Sequence, residues 1–166
     1  RADVVLQNMR PGAVERLGLG PEAFLGEKPG LVYCNLGAYG STGPMRHLPG
    51  YDPLMQAFGG IVSLTGSADQ PARAGVSIID LGTGLWAALG VVSALLRRAE
   101  TGRGGVVDVS LFETALAYMG LTIANYEADG IVPERTGLRG PFVAPNRAFQ
   151  AQDGLLVLTA VTDAQF

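Results

Sequence analysis

One carboxylate stands out for its setting. Asp80 lies in the stretch Val76-Ser77-Ile78-Ile79-Asp80-Leu81-Gly82-Thr83-Gly84-Leu85-Trp86-Ala87-Ala88-Leu89-Gly90, where an apolar helical pattern begins. A glycine inside a helix costs about 1 kcal/mol relative to alanine. Glycines at 82, 84 and 90 therefore imply close approach by a neighbouring element or a ligand. Asp80 itself has two compatible readings. It caps the helix, accepting from orphan backbone N–H groups. Or it is a carboxylate held at a helix N-terminus, where the dipole favours negative charge, and free for nucleophilic or acid–base work.

Other residues have weaker claims. Arg10 and Arg16 follow a strand-like run, Val4 to Gln7, and flank a short helix beginning at Ala13. In α/β folds ligands bind where strand C-termini meet helix N-termini, and paired arginines there suit phosphate. Two solvated surface arginines would look the same. Gly37 to Pro44 is a glycine-rich loop after a second strand, but it lacks the Lys-Ser/Thr ending of a P-loop. Tyr51 by itself reads as a half-buried aromatic, and Asp52 before Pro53 reads as an N-cap with proline opening the helix. The single cysteine, Cys34, sits in an apolar run and reads as a buried thiol. The single histidine, His47, has no cysteine partners, so no zinc site is expected, and it reads as a surface loop residue.

These residues need a scaffold. With 166 residues, 48% of them hydrophobic and 16% charged, the chain has enough apolar surface for one real core and is not disordered. A net charge of −3 without a basic cluster argues against nucleic acid. No uninterrupted apolar run reaches the ~18 residues read as a span, so no membrane segment is expected. No signal peptide is visible, and a cytoplasmic protein is the expectation. Strands are predicted at Val4–Gln7, Leu31–Leu36 and Val106–Leu111, with an intervening helix from Leu81 to Glu100. Leu81, Leu85, Ala88, Val92, Leu95 and Leu96 give that helix one apolar face. A broken helix is predicted over Leu54–Ser63 and one continuous helix over Glu113–Glu127. A proline- and glycine-rich loop follows from Ile131 to Asn146, and Asp153-Gly154 between two apolar runs predicts a hairpin. Both ends read as internal points of a longer chain.

Taken together and in order, several stretches resemble one family, the class III CoA-transferases, which includes acyl-CoA racemases. They are Ala2 to Gly12 with Arg16-Leu17-Gly18-Leu19, Gly40 to Pro44, Gly50-Tyr51-Asp52, Asp80 to Ala88, Arg98 to Gly104, and Val107 to Leu111. The resemblance implies an α/β fold: residues 1–130 as part of a Rossmann-like CoA-binding and catalytic domain, and 131–166 as a linker and the beginning of a smaller α+β domain. It implies a homodimer of interlocked rings acting on an acyl-CoA and a carboxylic acid acceptor, with CoA as substrate and no metal. It makes Asp80 the nucleophile, with Tyr51 lining the acyl site and Asp52 beside it. It places CoA contacts on Asn8, Met9, Arg10, Ala13, Arg16 and Leu17. Racemases of the family pair the aspartate with a histidine at position 51, and tyrosine is a poor base at neutral pH, so transfer is favoured over racemisation. Some transferases close a glycine run over the intermediate, and Gly137-Leu138-Arg139-Gly140 is not such a run. A racemase, or a segment inactive on its own, are the alternatives.

Overall fold

The computed structural model describes residues 2–140 and 142–166. Arg1 and Pro141, one of the loop prolines, lie outside them. Strands β1 (Val4–Gln7), β2 (Val32–Gly37) and β3 (Gly105–Ser110) form a parallel sheet in that order. Helices α1 (Ala13–Arg16) and α2 (Pro21–Glu27) connect β1 to β2. Helices α3 (Asp52–Phe58), α4 (Ile61–Leu64) and α5 (Ile78–Thr101) connect β2 to β3. After β3 come α6 (Leu111–Tyr118) and α7 (Gly120–Asp129), then the antiparallel hairpin β4 (Asn146–Gln150) and β5 (Leu155–Thr159). The alternating order is that of an α/β fold.

The middle strand is the most deeply set. Val32, Tyr33 and Cys34 are buried, as expected for a strand covered on both faces. Burial, and then the charge of Asp108, pushes the Cys34 thiol above its ordinary pKa. A second packing centre forms where Met55 of α3, Ile79 of α5 and Ala115 of α6 meet.

Helix α5 runs back along the sheet. Near its C-terminus Arg98 donates to Asp3 Oδ1 at 3.0 Å and to the Gly30 carbonyl at 3.1 Å, at the edge where the strands begin. At 1.5 Å rise per residue, Asp80 lies about 27 Å further along the axis. A six-residue strand spans only about 20 Å. The first turn of α5 therefore overhangs the C-terminal edge of the sheet.

Three expectations need correction. Helix α5 starts at Ile78 rather than Leu81. Its predicted apolar face points outward: Leu81, Leu85, Val92 and Leu96 are exposed, while Ile79, Gly82, Thr83 and Ala87 are buried. Small residues win the inner face because β3 and α6 come so close. A Cβ on Gly90 would stand 2.6 Å from Val107 Cγ1, and Thr83 Oγ1 meets Thr114 Oγ1 at 2.8 Å. The predicted helix after β3 is two helices, with a turn at Met119. There the Met119 N–H donates to both Ala115 and Leu116 carbonyls. By length and composition α5 is also long and apolar enough to cross a bilayer, one 18-residue stretch of it having mean hydropathy 1.7. Counting uninterrupted runs overlooks it because Asp80 and Arg97 bound the run. It packs here against β2, β3, α3 and α6.

Candidate active site

The residue before α5 is Ser77, whose side chain makes no capping hydrogen bond. Asp80 is the third residue of the helix, inside its first turn, so it is not the N-cap. The capping work is done from another element. Asp52 is buried, and its Oδ1 accepts the Ile79 N–H at 2.8 Å. Its Oδ2 accepts from Gln56 Nε2 at 2.6 Å. Gln56 Oε1 in turn accepts the Ala74 N–H at 2.8 Å, stapling the chain that enters α5. Asp52 thus stands at the start of α3 rather than before it, with Tyr51 in the N-cap position, and its side chain serves α5 rather than its own helix.

Relieved of capping, Asp80 has no hydrogen-bond partner among the described residues and is exposed. Water reaches it on one side and protein backs it on the other. That partial desolvation, and then the negative charge of Asp52, raises its pKa above the ordinary carboxylate value. The glycines around it have different causes. A Cβ on Gly82 would run into the Tyr118 hydroxyl and stand 2.9 Å from Thr114 Cγ2. A Cβ on Gly84 would meet nothing within 4 Å.

Tyr51 is 72% exposed, far more open than a half-buried aromatic. It is the covalent neighbour of Asp52, as Asp80 is of Ile79, so the Asp52–Ile79 hydrogen bond joins the two segments that carry them.

The proposed CoA contacts gather where β1 ends. Asn8, Met9, Arg10, Arg16 and Leu17 are exposed and Ala13 is partly so. Gly12 has φ 78°, the left-handed turn that starts α1. A Cβ on it would stand 3.2 Å from Arg16 Nη1, so Arg16 folds back over the turn. Beside them opens a cleft of about 220 Å³ lined by Met9, Gly12, Asn35, Arg46, His47 and Asp108, among others. Met9 reaches into it, whereas Asn8, Arg10, Ala13, Arg16 and Leu17 are not among its lining residues.

Across its floor runs a polar row that sequence reading missed. Gln7, Asn35 and Asp108 are register partners on the three strands. Gln7 Nε2 donates to Asn35 Oδ1 and Asn35 Nδ2 donates to Asp108 Oδ1, both at 2.7 Å. Ser41 from the glycine-rich loop donates to Asp108 Oδ2 at 3.3 Å. Each polar residue sits near the end of its own strand, but only the parallel register aligns them. His47, read as a surface loop residue, is exposed and lines this cleft. The cleft and the first turn of α5 share the C-terminal edge of the sheet, where ligands of open α/β sheets bind. No cluster of three His, Cys, Asp or Glu side chains that could hold a metal is found among the described residues.

The description "CoA-transferase family III" matches residues 1–166. The chain belongs to CoA-transferase family III. Among curated members of that family, it is 43% identical to an acyl-CoA transferase of Fusarium pseudograminearum over 99% of this chain and 36% of that protein. It is 39% identical to the acetyl-CoA:oxalate CoA-transferase of Acetobacter aceti, over 100% of this chain and 43% of that one. A crystal structure of a CAIB/BAIF family protein from Brucella suis superimposes with TM-score 0.88 and 37% identity, covering 94% of this chain and 42% of that one. This family III chain thus spans less than half the length of these relatives.

Proposed function

We propose that the protein containing this chain is a CoA-transferase that moves CoA from an acyl-CoA to a carboxylic acid, with Asp80 as nucleophile. The observation that carries the reading is an exposed carboxylate, free of hydrogen bonds, at the C-terminal edge of a parallel sheet in a family III chain. Asp80 attacks the thioester carbonyl, the C–S bond breaks, and CoA thiolate leaves an aspartyl–acyl anhydride. The thiolate then attacks the Asp80 carbonyl and expels the donor acid with one former Asp80 oxygen. The acceptor carboxylate attacks the resulting aspartyl-CoA thioester and releases the thiolate. Attack of that thiolate on the acceptor carbonyl of the new anhydride gives the product thioester and restores Asp80. Each step exchanges one acyl bond for another, which divides a hard transfer into easier ones. The positive end of the α5 dipole favours the developing oxyanions.

Arg10 and Arg16 hold CoA phosphates in this reading, with Asn8, Met9, Ala13 and Leu17 around them, and Tyr51 lines the acyl site. A homodimer belongs to the same reading. It is supported by the outward apolar stripe of Leu81, Leu85, Leu89, Val92 and Leu96 on α5.

The test is isotopic. Carboxyl-labelled ¹⁸O acceptor acid, incubated with the complete protein and an acyl-CoA, should place label on Asp80 and then in the released donor acid. Absence of label in both overturns the reading. Solvent deuterium entering the acyl α-carbon without transfer would instead establish a racemase.

A further inference from the structure

Asp52 is a fully buried carboxylate, and among the described residues no cation forms a salt bridge with it. Both of its oxygens are engaged, one by the Ile79 N–H at 2.8 Å and one by Gln56 Nε2 at 2.6 Å. Burying a carboxylate without a counter-ion is costly, and a neutral cap such as serine or asparagine would satisfy the Ile79 N–H. The negative charge is thus more than capping requires. It is bonded to the backbone of Ile79, the residue just before Asp80, in the first turn of α5. Gln56 fixes the arrangement by holding Asp52 and Ala74 together.

We propose that the Asp52–Gln56 pair is a positioning unit for Asp80: it sets the first turn of α5 and places a fixed negative charge behind the attacking carboxylate. This rests on the reading of Asp80 as nucleophile. A charge there disfavours a second charge on Asp80 and so makes its carboxylate more basic, which suits attack on a thioester. The other titratable groups on elements packed against α5 are committed elsewhere or differently placed. Asp108 on β3 is bonded to Asn35 and Ser41, and Glu113 on α6 to Ser110. Tyr118 on α6 faces Gly82, and Tyr33 on β2 donates to the Leu19 carbonyl. Cys34 on β2 is buried in the sheet.

The experiment compares variants of the complete protein by steady-state kinetics across pH, with thermal melting as a check on folding. Asp52→Asn keeps an oxygen for the Ile79 N–H but removes the charge and turns an amide toward Gln56. It should lower kcat about tenfold or more, the rate equivalent of ~1.4 kcal/mol. KM for the acyl-CoA should stay within about twofold, a split that marks loss of transition-state stabilisation. The acidic limb of kcat/KM should move to lower pH, because desolvation still raises the Asp80 pKa but the added push from the Asp52 charge is gone. Asp52→Asn combined with Gln56→Glu restores donor–acceptor pairing and returns one negative charge to the unit. That double variant should recover most of kcat and the native limb, and it is the one that decides if the single variant does not fold. A folded Asp52→Asn protein with native kcat and native limb overturns the proposal, as does a folded double variant that stays inactive. Asp80→Ala run alongside separates the two readings. If Asp80→Ala is active, the nucleophile reading itself fails. If it is dead while the Asp52 variants behave as native, only the positioning role falls.

Discussion

Gly84 stands one helical turn after Asp80 on the same face of α5, and nothing lies within 4 Å of where its side chain would begin. Helix side chains lean toward the N-terminus, so a residue at 84 would grow over the Asp80 carboxylate. Glycine there leaves the Asp80 carboxylate, the proposed nucleophile, uncovered. Gly84→Ala should raise the melting temperature, since it adds about 1 kcal/mol of helix propensity without a clash. Gly84→Leu should leave folding intact and cut kcat/KM for the acyl-CoA at least tenfold, which steady-state kinetics on the complete protein will read.

Gly90 is a glycine for the opposite reason. Its missing Cβ makes room for Val107, which would be 2.6 Å away. Gly90→Ala should destabilise the fold by about 1–3 kcal/mol, the usual cost of overpacking. Val107→Ala in the same chain should recover part of that loss, and a double-mutant cycle from urea unfolding measures the coupling.

Asp80 also leaves a signature in stability against pH. Its folded pKa is raised, so its ionisation is less favourable in the folded chain than in the unfolded one. The native state then holds the proton more tightly, and stability falls as pH rises from the unfolded value, about 3.9, through the folded one. Asp80→Asn removes this penalty. The variant should melt slightly higher than the parent at neutral pH, and the gap should vanish once the pH drops below the ordinary carboxylate range. Solvent screening keeps the gain small, while transfer activity should be lost.

Arg10 and Arg16 are exposed and lack carboxylate partners among the described residues, so they are available to a polyanion. Each replaced by alanine should raise KM for the acyl-CoA by roughly tenfold, in line with losing one charge-assisted hydrogen bond of about 1.5–3 kcal/mol. kcat should change little, because CoA phosphates are remote from the reacting carbonyl. Equal KM for acyl-CoA in parent and variants would place the phosphates elsewhere.

Much of this scaffold was legible before any coordinates. Alternating or continuous β-branched runs located all three parallel strands to within a residue or two. Gly59-Gly60 located the break between α3 and α4, and Asp153-Gly154 located the hairpin. Such features are local, because strand periodicity and glycine's freedom act over a few residues. The ordered motifs around Asp80, Tyr51-Asp52 and Arg10 likewise pointed to the family that the whole chain matches.

What sequence alone could not settle was how residues far apart share their bonds. Asp80 looked like a helix cap because a carboxylate at an N-terminus is the commonest local solution. Only packing of α3 on α5 brings Asp52 to the Ile79 N–H and leaves Asp80 unengaged. The apolar stripe of α5 has the periodicity of a core face, yet the sheet takes the face with Gly82, Thr83 and Gly90 because close approach demands small side chains. The row Gln7–Asn35–Asp108 exists only through strand register. The sequence by itself determined which elements form, since those follow from short-range propensity, and its ordered motifs carried the resemblance that drew attention to Asp80. The tertiary structure decided which carboxylate is spent on the backbone and which is left facing solvent, since hydrogen bonds between distant segments are set by packing.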